Sequence, residues 1–161
     1  GADCWGWATW KKSWEIFDKN GSKLLDQIYV NRCEKEIDFN NTYNYVKMLK
    51  DQINGKIDSW AIRWYVRAFL KNKLTLYPGK SFVKNIGMDD SGIHNDSSNR
   101  FNVKLAESYR KIKKIEIVEN AQARKNFEIL FDSYAFGIFP KIINKVTKCP
   151  NRLITFLKKK K

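Results

Sequence analysis

The run WAIRWYVRAFL, Trp60 to Leu70, constrains the fold more than any other stretch of this chain. Ile57, Trp60, Ala61, Trp64 and Ala68 form one helical stripe, and Ile62, Val66, Phe69 and Leu70 form a second. Only Arg63 and Arg67 interrupt them. A helix that is apolar on most faces is packed on most sides, so this segment belongs inside a folded body. It is too short and too charged to cross a bilayer, which takes about 18 or more apolar residues. The 161 residues, 43% hydrophobic, suffice for one domain that buries roughly two thirds of its extended surface. The start, GADCWGWATWKK, has no basic region before an apolar run and does not read as a signal peptide.

Other helices are expected on either side. Trp7, Trp10, Trp14 and Phe17 are spaced as an amphipathic stripe, with Thr9 as a cap and Asn20-Gly21 as the stop. Ser22 opens a second run through LLDQIYV. Asn41 or Thr42 is placed to cap YNYVKMLKDQI, which Asn54-Gly55 ends. Asp58 or a neighbour opens the Trp60 helix, and Asn120 caps a later one carrying Ala123, Phe127, Leu130, Phe131 and Tyr134, closed by Gly137 and Pro140. LTLY before Pro78-Gly79 alternates and reads as a strand, SFVKNIG as a second, and IEIV at Ile115 to Val118 as a strand or extended arm.

Lys plus Arg total 31 against 17 Asp plus Glu, a net charge of +14. The last 21 residues, Lys141 to Lys161, hold eight basic residues and no acidic one. Such charge attracts polyanions: an anionic membrane surface, a phosphorylated substrate or nucleic acid. No nucleic-acid motif accompanies it, so nucleic acid is not the expected partner. Cys4, Cys33 and Cys149 are odd in number and widely spaced, which fits a reducing cytoplasm and neither a disulfide scaffold nor a zinc knuckle.

Two motifs in register resemble a known family. WGWATWKKSW, Trp5 to Trp14, resembles the WGWxTWxRxW signature of one group of family 2 glycosyltransferases with the A-type fold. DSWAIRWYVRAFLKNKLTLYPGKSFVKNIGMDDSGIH, Asp58 to His94, resembles the stretch that follows there: a helix, a strand ending in YPG, then NIGxDxSGxH. IEIVENAQARKNFE, Ile115 to Glu128, resembles a helix entry near the end of such chains. The resemblance implies an α/β fragment, mainly helical with a few short strands. It would be the acceptor-side half of the A-type domain over residues 1–140, followed by a basic helix or tail over 141–161. The donor-binding half with its Asp-x-Asp metal motif would precede it, and no Asp-x-Asp occurs here.

The function so implied is transfer, inverting at the sugar, from a nucleotide-sugar donor to a hydroxyl of a cell-surface glycan or lipid-linked precursor. The whole enzyme would use a divalent metal, Mn or Mg. The fragment alone would be inactive, would self-associate through its uncovered face, and would lie in the cytoplasm or at the inner face of the plasma membrane. Asp58 is then the candidate base, displaced by one residue from the family's Glu-Asp pair; it is equally placed to be a helix N-cap, and Asp89 and Asp90 are the next choice. His94, the only histidine, is the candidate metal or diphosphate ligand. Trp5, Trp7 and Trp10 are candidates for an acceptor pocket, although Trp10 and Trp14 also suit a core stripe. Arg63 is the candidate phosphate ligand, and Arg63 and Arg67 could equally cap buried carboxylates. The competing reading is a non-catalytic basic binding or assembly module.

Overall fold

The computed structural model describes residues 4, 6–84, 86, 103–108 and 114–135. Among them six helices follow in order: α1 (Lys11–Trp14), α2 (Gly21–Asn31), α3 (Glu34–Ile37), α4 (Tyr45–Ile53), α5 (Trp60–Leu70) and α6 (Ala121–Ala135). Short polar side chains start α2, α4, α5 and α6. Asn20 Oδ1 accepts from the Lys23 N–H at 3.0 Å to cap α2, and Asp18 Oδ1 accepts from the Asn20 N–H at 3.0 Å. Ser59 Oγ caps α5 through the Ile62 N–H at 3.4 Å, and Asn120 Oδ1 caps α6 through the Ala123 N–H at 2.9 Å. Helix α4 is capped from farther away. Asp38 Oδ1 accepts from the Val46 N–H at 2.8 Å, eight residues on. Burial pushes the Asp38 carboxyl above the usual aspartate value, and the Val46 and Tyr45 amides pull it back.

Four helices end in the same way, with one left-handed residue and a pair of reaching backbone bonds. After α2 it is Arg32 (φ 51°), with Arg32 N–H to Tyr29 O at 3.1 Å and Cys33 N–H to Ile28 O at 3.2 Å. After α3 it is Phe39 (φ 48°), with bonds to Glu36 O at 3.2 Å and, from Asn40 N–H, to Lys35 O at 2.8 Å. Gly55 (φ 70°) closes α4 and Asn72 (φ 51°) closes α5 by equivalent pairs. After Phe39 the left-handed turn continues through Asn40 (φ 57°) and Asn41 (φ 64°).

Helices α2, α4 and α5 pack around one core of Leu24, Ile28, Val46, Leu49, Ile62, Tyr65 and Val66, with Ile37 and Phe39 closing one end. Leu24, Ile28, Ile37, Leu49 and Val66 are fully buried. Tyr65 is buried too, and its hydroxyl donates to Ile37 O at 2.6 Å; burial pushes that hydroxyl's pKa far up, so it stays a donor. Helix α6 docks on the α3–α4 turn. Phe127 and Phe131 meet Phe39 with ring centroids at 6.1 and 5.4 Å, and the Arg124 guanidinium lies 4.9 Å from the Phe39 ring centroid. Arg124 Nη2 donates to Glu36 O at 2.8 Å. Buried Glu128 accepts from Asn40 Nδ2 at 2.5 Å and from Lys125 Nζ at 3.0 Å.

This architecture corrects the expected α/β class. Among the described residues there is no β-strand. The segments LTLY and IEIV and the described parts of SFVKNIG are neither helix nor strand and have no ladder partner. Their alternation fits a pleated surface, but a strand exists only where a neighbour accepts its hydrogen bonds. One bond of this kind is present, from Ala106 N–H to Ser81 O at 2.8 Å. Two boundaries also move: Asn20-Gly21 begins α2 instead of ending the first helix, and Asp38 replaces Asn41 or Thr42 as the α4 cap. At α5 the cap is Ser59, the neighbour of Asp58. The ends foreseen at Gly137 and Pro140 and the tail at 141–161 lie outside the described residues.

Two stability outcomes follow from these contacts. A left-handed residue with a Cβ costs about 1–2 kcal/mol, partly returned because glycine loosens the unfolded chain. Gly55→Ala should therefore lower stability by about 1 kcal/mol, and Arg32→Gly should raise it by about 0.5–1 kcal/mol, read from urea midpoints at constant slope.

The second outcome concerns Glu128. Its hydrogen bond from Lys125, then those of Asn40 and the nearby cations, hold its carboxyl below the ordinary glutamate value of 4.5. A lowered folded pKa stabilises above the unfolded value, and this is lost as pH falls through the folded one. Wild type should exceed Glu128→Gln in urea midpoint at neutral pH, and the two should converge as pH drops below 4.5. The raised Asp38 acts in the opposite sense but is common to both proteins and cancels in the difference.

Candidate functional site

The densest chemistry on the surface is aromatic. Trp60 and Trp64 stand four residues apart on α5, so both indoles leave the same side of that helix. Trp7 packs on them at centroid distances of 5.5 and 5.9 Å. Trp14, set by the single turn of α1, lies 5.9 Å from Trp7, 5.1 Å from Trp64 and 4.7 Å from Phe17, on which it stacks at 6°. Trp64 is buried, while Trp14 and Trp60 keep an exposed edge. Trp10 points away and is 80% exposed. The expected four-residue stripe is therefore split. Residues 7–10 are extended and only Lys11–Trp14 are helical, so Trp10 leaves the face that Trp7 and Trp14 share.

Two arginines fix the chain that carries these indoles. Arg63 Nη1 donates to Lys19 O at 3.1 Å, and its guanidinium lies 6.0 Å from the Phe17 centroid. Arg67 Nε donates to Ile16 O at 2.9 Å and Nη1 to Gln27 Oε1 at 3.4 Å. Both hold the 16–19 connection against α5. Gly6 (φ 56°) fixes a further crossing, because a Cβ there would stand 2.3 Å from Val83 Cγ2. That contact brings the 81–84 segment alongside the tryptophan cluster.

The candidates from sequence are placed as follows. Trp7 joins the cluster and Trp10 does not. Arg63 flanks the cluster while bonded to a backbone carbonyl. Asp58 is exposed just before the α5 cap. Trp5, His94, Asp89 and Asp90 lie outside the described residues. Sequence reasoning missed Trp60 and Trp64 as partners of Trp7, although their i, i+4 spacing was the available signal. A second concavity of about 440 Å³ lies between α4 and α6, lined by Tyr43, Met48, Phe131 and Tyr134 with Lys47 and Asp51. Asp51 pairs with Lys47 and, at 3.7 Å, with Lys56; the Lys47 hydrogen bond holds its carboxyl below the usual aspartate value. The hydroxyls of Thr42, Ser81 and Ser133 donate to backbone carbonyls, and burial, with Glu36 and Glu34 nearby, pushes the Cys33 thiol up.

No family model matches the chain, and no curated protein or solved structure matches it either. The resemblance to family 2 glycosyltransferases is corrected on the fold. An A-type domain is built on a Rossmann-like sheet, and the described residues form helices without a strand. They also hold no group of three or more His, Cys, Asp or Glu side chains able to bind a metal, so the implied divalent ion finds no ligand set among them. The transferase reading, with its nucleotide-sugar chemistry, falls with that fold.

The geometry assigns different weights to the tryptophans. Trp7 holds three indoles together, and Trp7→Ala should cost about 2–4 kcal/mol, toward the lower side of large core truncations. Trp10→Ala should stay within about 0.5 kcal/mol of wild type, as surface changes do. Paired urea denaturation curves decide it. Equal losses at both positions would remove the distinction.

Proposed function

We propose that this chain is a non-catalytic helical module that docks on an anionic partner through a face of tryptophan and lysine. One observation carries the reading: exposed aromatic and basic side chains alternate on it without carboxylates between them. Cys4 to Trp14 contain Lys11 and Lys12 and no acidic residue; Lys71 to Met88 contain Lys71, Lys73, Lys80 and Lys84 and no acidic residue. These lysines and Trp10 are exposed. Clustered like charge beside apolar surface attracts a partner of opposite sign and gives it something to bury. The helical body beneath supplies a rigid support, since α5 bears two of the indoles on one side and core residues on the other.

A charge-matched comparison on a sulfated polysaccharide column tests this. Lys11→Gln/Lys12→Gln should elute at clearly lower salt than wild type. Lys35→Gln/Lys47→Gln removes equal charge from α3 and α4, which carry none of the tryptophans, and should shift elution less. Equal shifts would mean that total charge alone is recognised and would remove the face from the proposal.

A further inference from the structure

Resting on that docking reading, we infer that the anionic partner is a lipid bilayer surface rich in acidic headgroups, engaged by Trp10, Lys11, Lys12, Phe82, Lys84 and Ile86. Trp10 and Ile86 are 80% and 82% exposed, and Phe82 is 51% exposed. They belong to two segments that the Gly6–Val83 crossing brings side by side. Each segment interleaves its apolar residues with lysines, as in Trp10-Lys11-Lys12 and Phe82-Val83-Lys84. Indoles favour the headgroup level, where the ring is half buried and the N–H stays wet, and lysine stems lie along apolar surface while their ammonium groups reach phosphate.

Among the described residues, the carboxylates near this face do not cancel it. Glu15 and Asp58 are exposed at its margin, against Lys11, Lys12, Lys80 and Lys84 on it. Glu107, carried by the segment bonded to Ser81, is matched by Lys104 at 2.7 Å.

The mixture of side chains selects lipid over single-stranded nucleic acid. Base stacking needs a row of free aromatic faces, whereas Trp7, Trp14, Trp60 and Trp64 spend theirs on one another, which leaves Trp10 and Phe82 as the rings on this face. The remaining exposed anchors include Val83 and Ile86, and Leu74 and Leu76 precede them; aliphatic chains gain from the acyl boundary and have no ring to stack. No helix among the described residues is long and apolar enough to cross a membrane, so the contact lies in the interface plane. Residues 73–84 form neither helix nor ladder, and their backbone amides need water, which keeps the contact shallow.

The test uses the full chain with large vesicles of phosphatidylcholine alone or with about one third phosphatidylglycerol, some carrying bromine on the upper acyl chain. Flotation should recover the protein with the acidic vesicles only, and brominated lipid should quench its tryptophan emission. Trp10→Ala/Ile86→Ala, which keeps every charge, should weaken vesicle partition by at least about tenfold from the lost apolar burial. It should leave elution from the sulfated column unchanged. Lys11→Gln/Lys12→Gln should weaken partition by about fivefold per lysine, and less in high salt. Equal recovery with neutral vesicles would overturn the inference, and so would wild-type partition by the apolar variant. A third overturning result is quenching by a single-stranded oligothymidylate at concentrations where acidic vesicles do nothing. If the column comparison holds while the vesicles fail, the docking face survives and its lipid partner does not.

Discussion

Helix α5 is enclosed from two directions, and the remainder of the structure is arranged around that enclosure. Ile62, Tyr65 and Val66 face α2 and α4, and Trp60 and Trp64 face Trp7 and Trp14. An eleven-residue helix is marginal alone. Here its stability comes from tertiary burial on both flanks, with the Tyr65 hydroxyl answering an otherwise exposed demand of the α3 backbone at Ile37. Because Trp64 and Tyr65 are neighbours in sequence and look in different directions, the aromatic cluster and the core are mechanically one body. An indole lost at Trp7 would be felt by α5 before it was felt by any ligand.

The left-handed residues show how this burial offsets local cost. Glycine and asparagine accept that conformation readily, as at Gly55, Asn40, Asn41 and Asn72. Arg32 and Phe39 do not, and each sits there against its backbone preference. Phe39 is buried among Tyr45, Phe127 and Phe131 and lies beneath Arg124, so the strain is spent on placing one ring. The turn that follows presents Asn40 to Glu128, which is how α6 is held. Strain, cap and docking contact are consecutive positions of one loop.

Much of the helical layout was legible in sequence. The apolar faces of WAIRWYVRAFL, the stop at Asn54-Gly55 and the cap at Asn120 depend on local chemistry, and local chemistry is what a sequence displays. The spacing of Trp7, Trp10, Trp14 and Phe17 was misleading because periodicity assumes a continuous helix. Residues 7–10 leave the helical path, so Trp10 and Trp14 no longer share a face. Asp38 as the cap of α4 was invisible, since its partner lies eight residues away across a turn whose left-handed residues include a phenylalanine. The i, i+4 spacing of Trp60 and Trp64 showed that they share a face, but not that Trp7 covers it, which depends on where Arg63 and Arg67 tie the 16–19 connection.

The segments that alternate without pairing follow from the same balance of cover and exposure. LTLY and IEIV alternate as strands do, and a strand in a sheet hides one face and pairs both edges. Here Leu74, Leu76 and Tyr77 of the first and Ile115, Ile117 and Val118 of the second are all exposed, so both faces of each segment are short of cover. The Tyr77 ring, 5.6 Å from that of Phe127, is the partial exception among the described residues. Ser81 receives one backbone bond from Ala106, enough to hold two segments together and too little to make a ladder. Exposed apolar residues gain free energy when something covers them, and the charges beside them differ: Lys73 flanks Leu74, while Glu116 stands between Ile115 and Ile117.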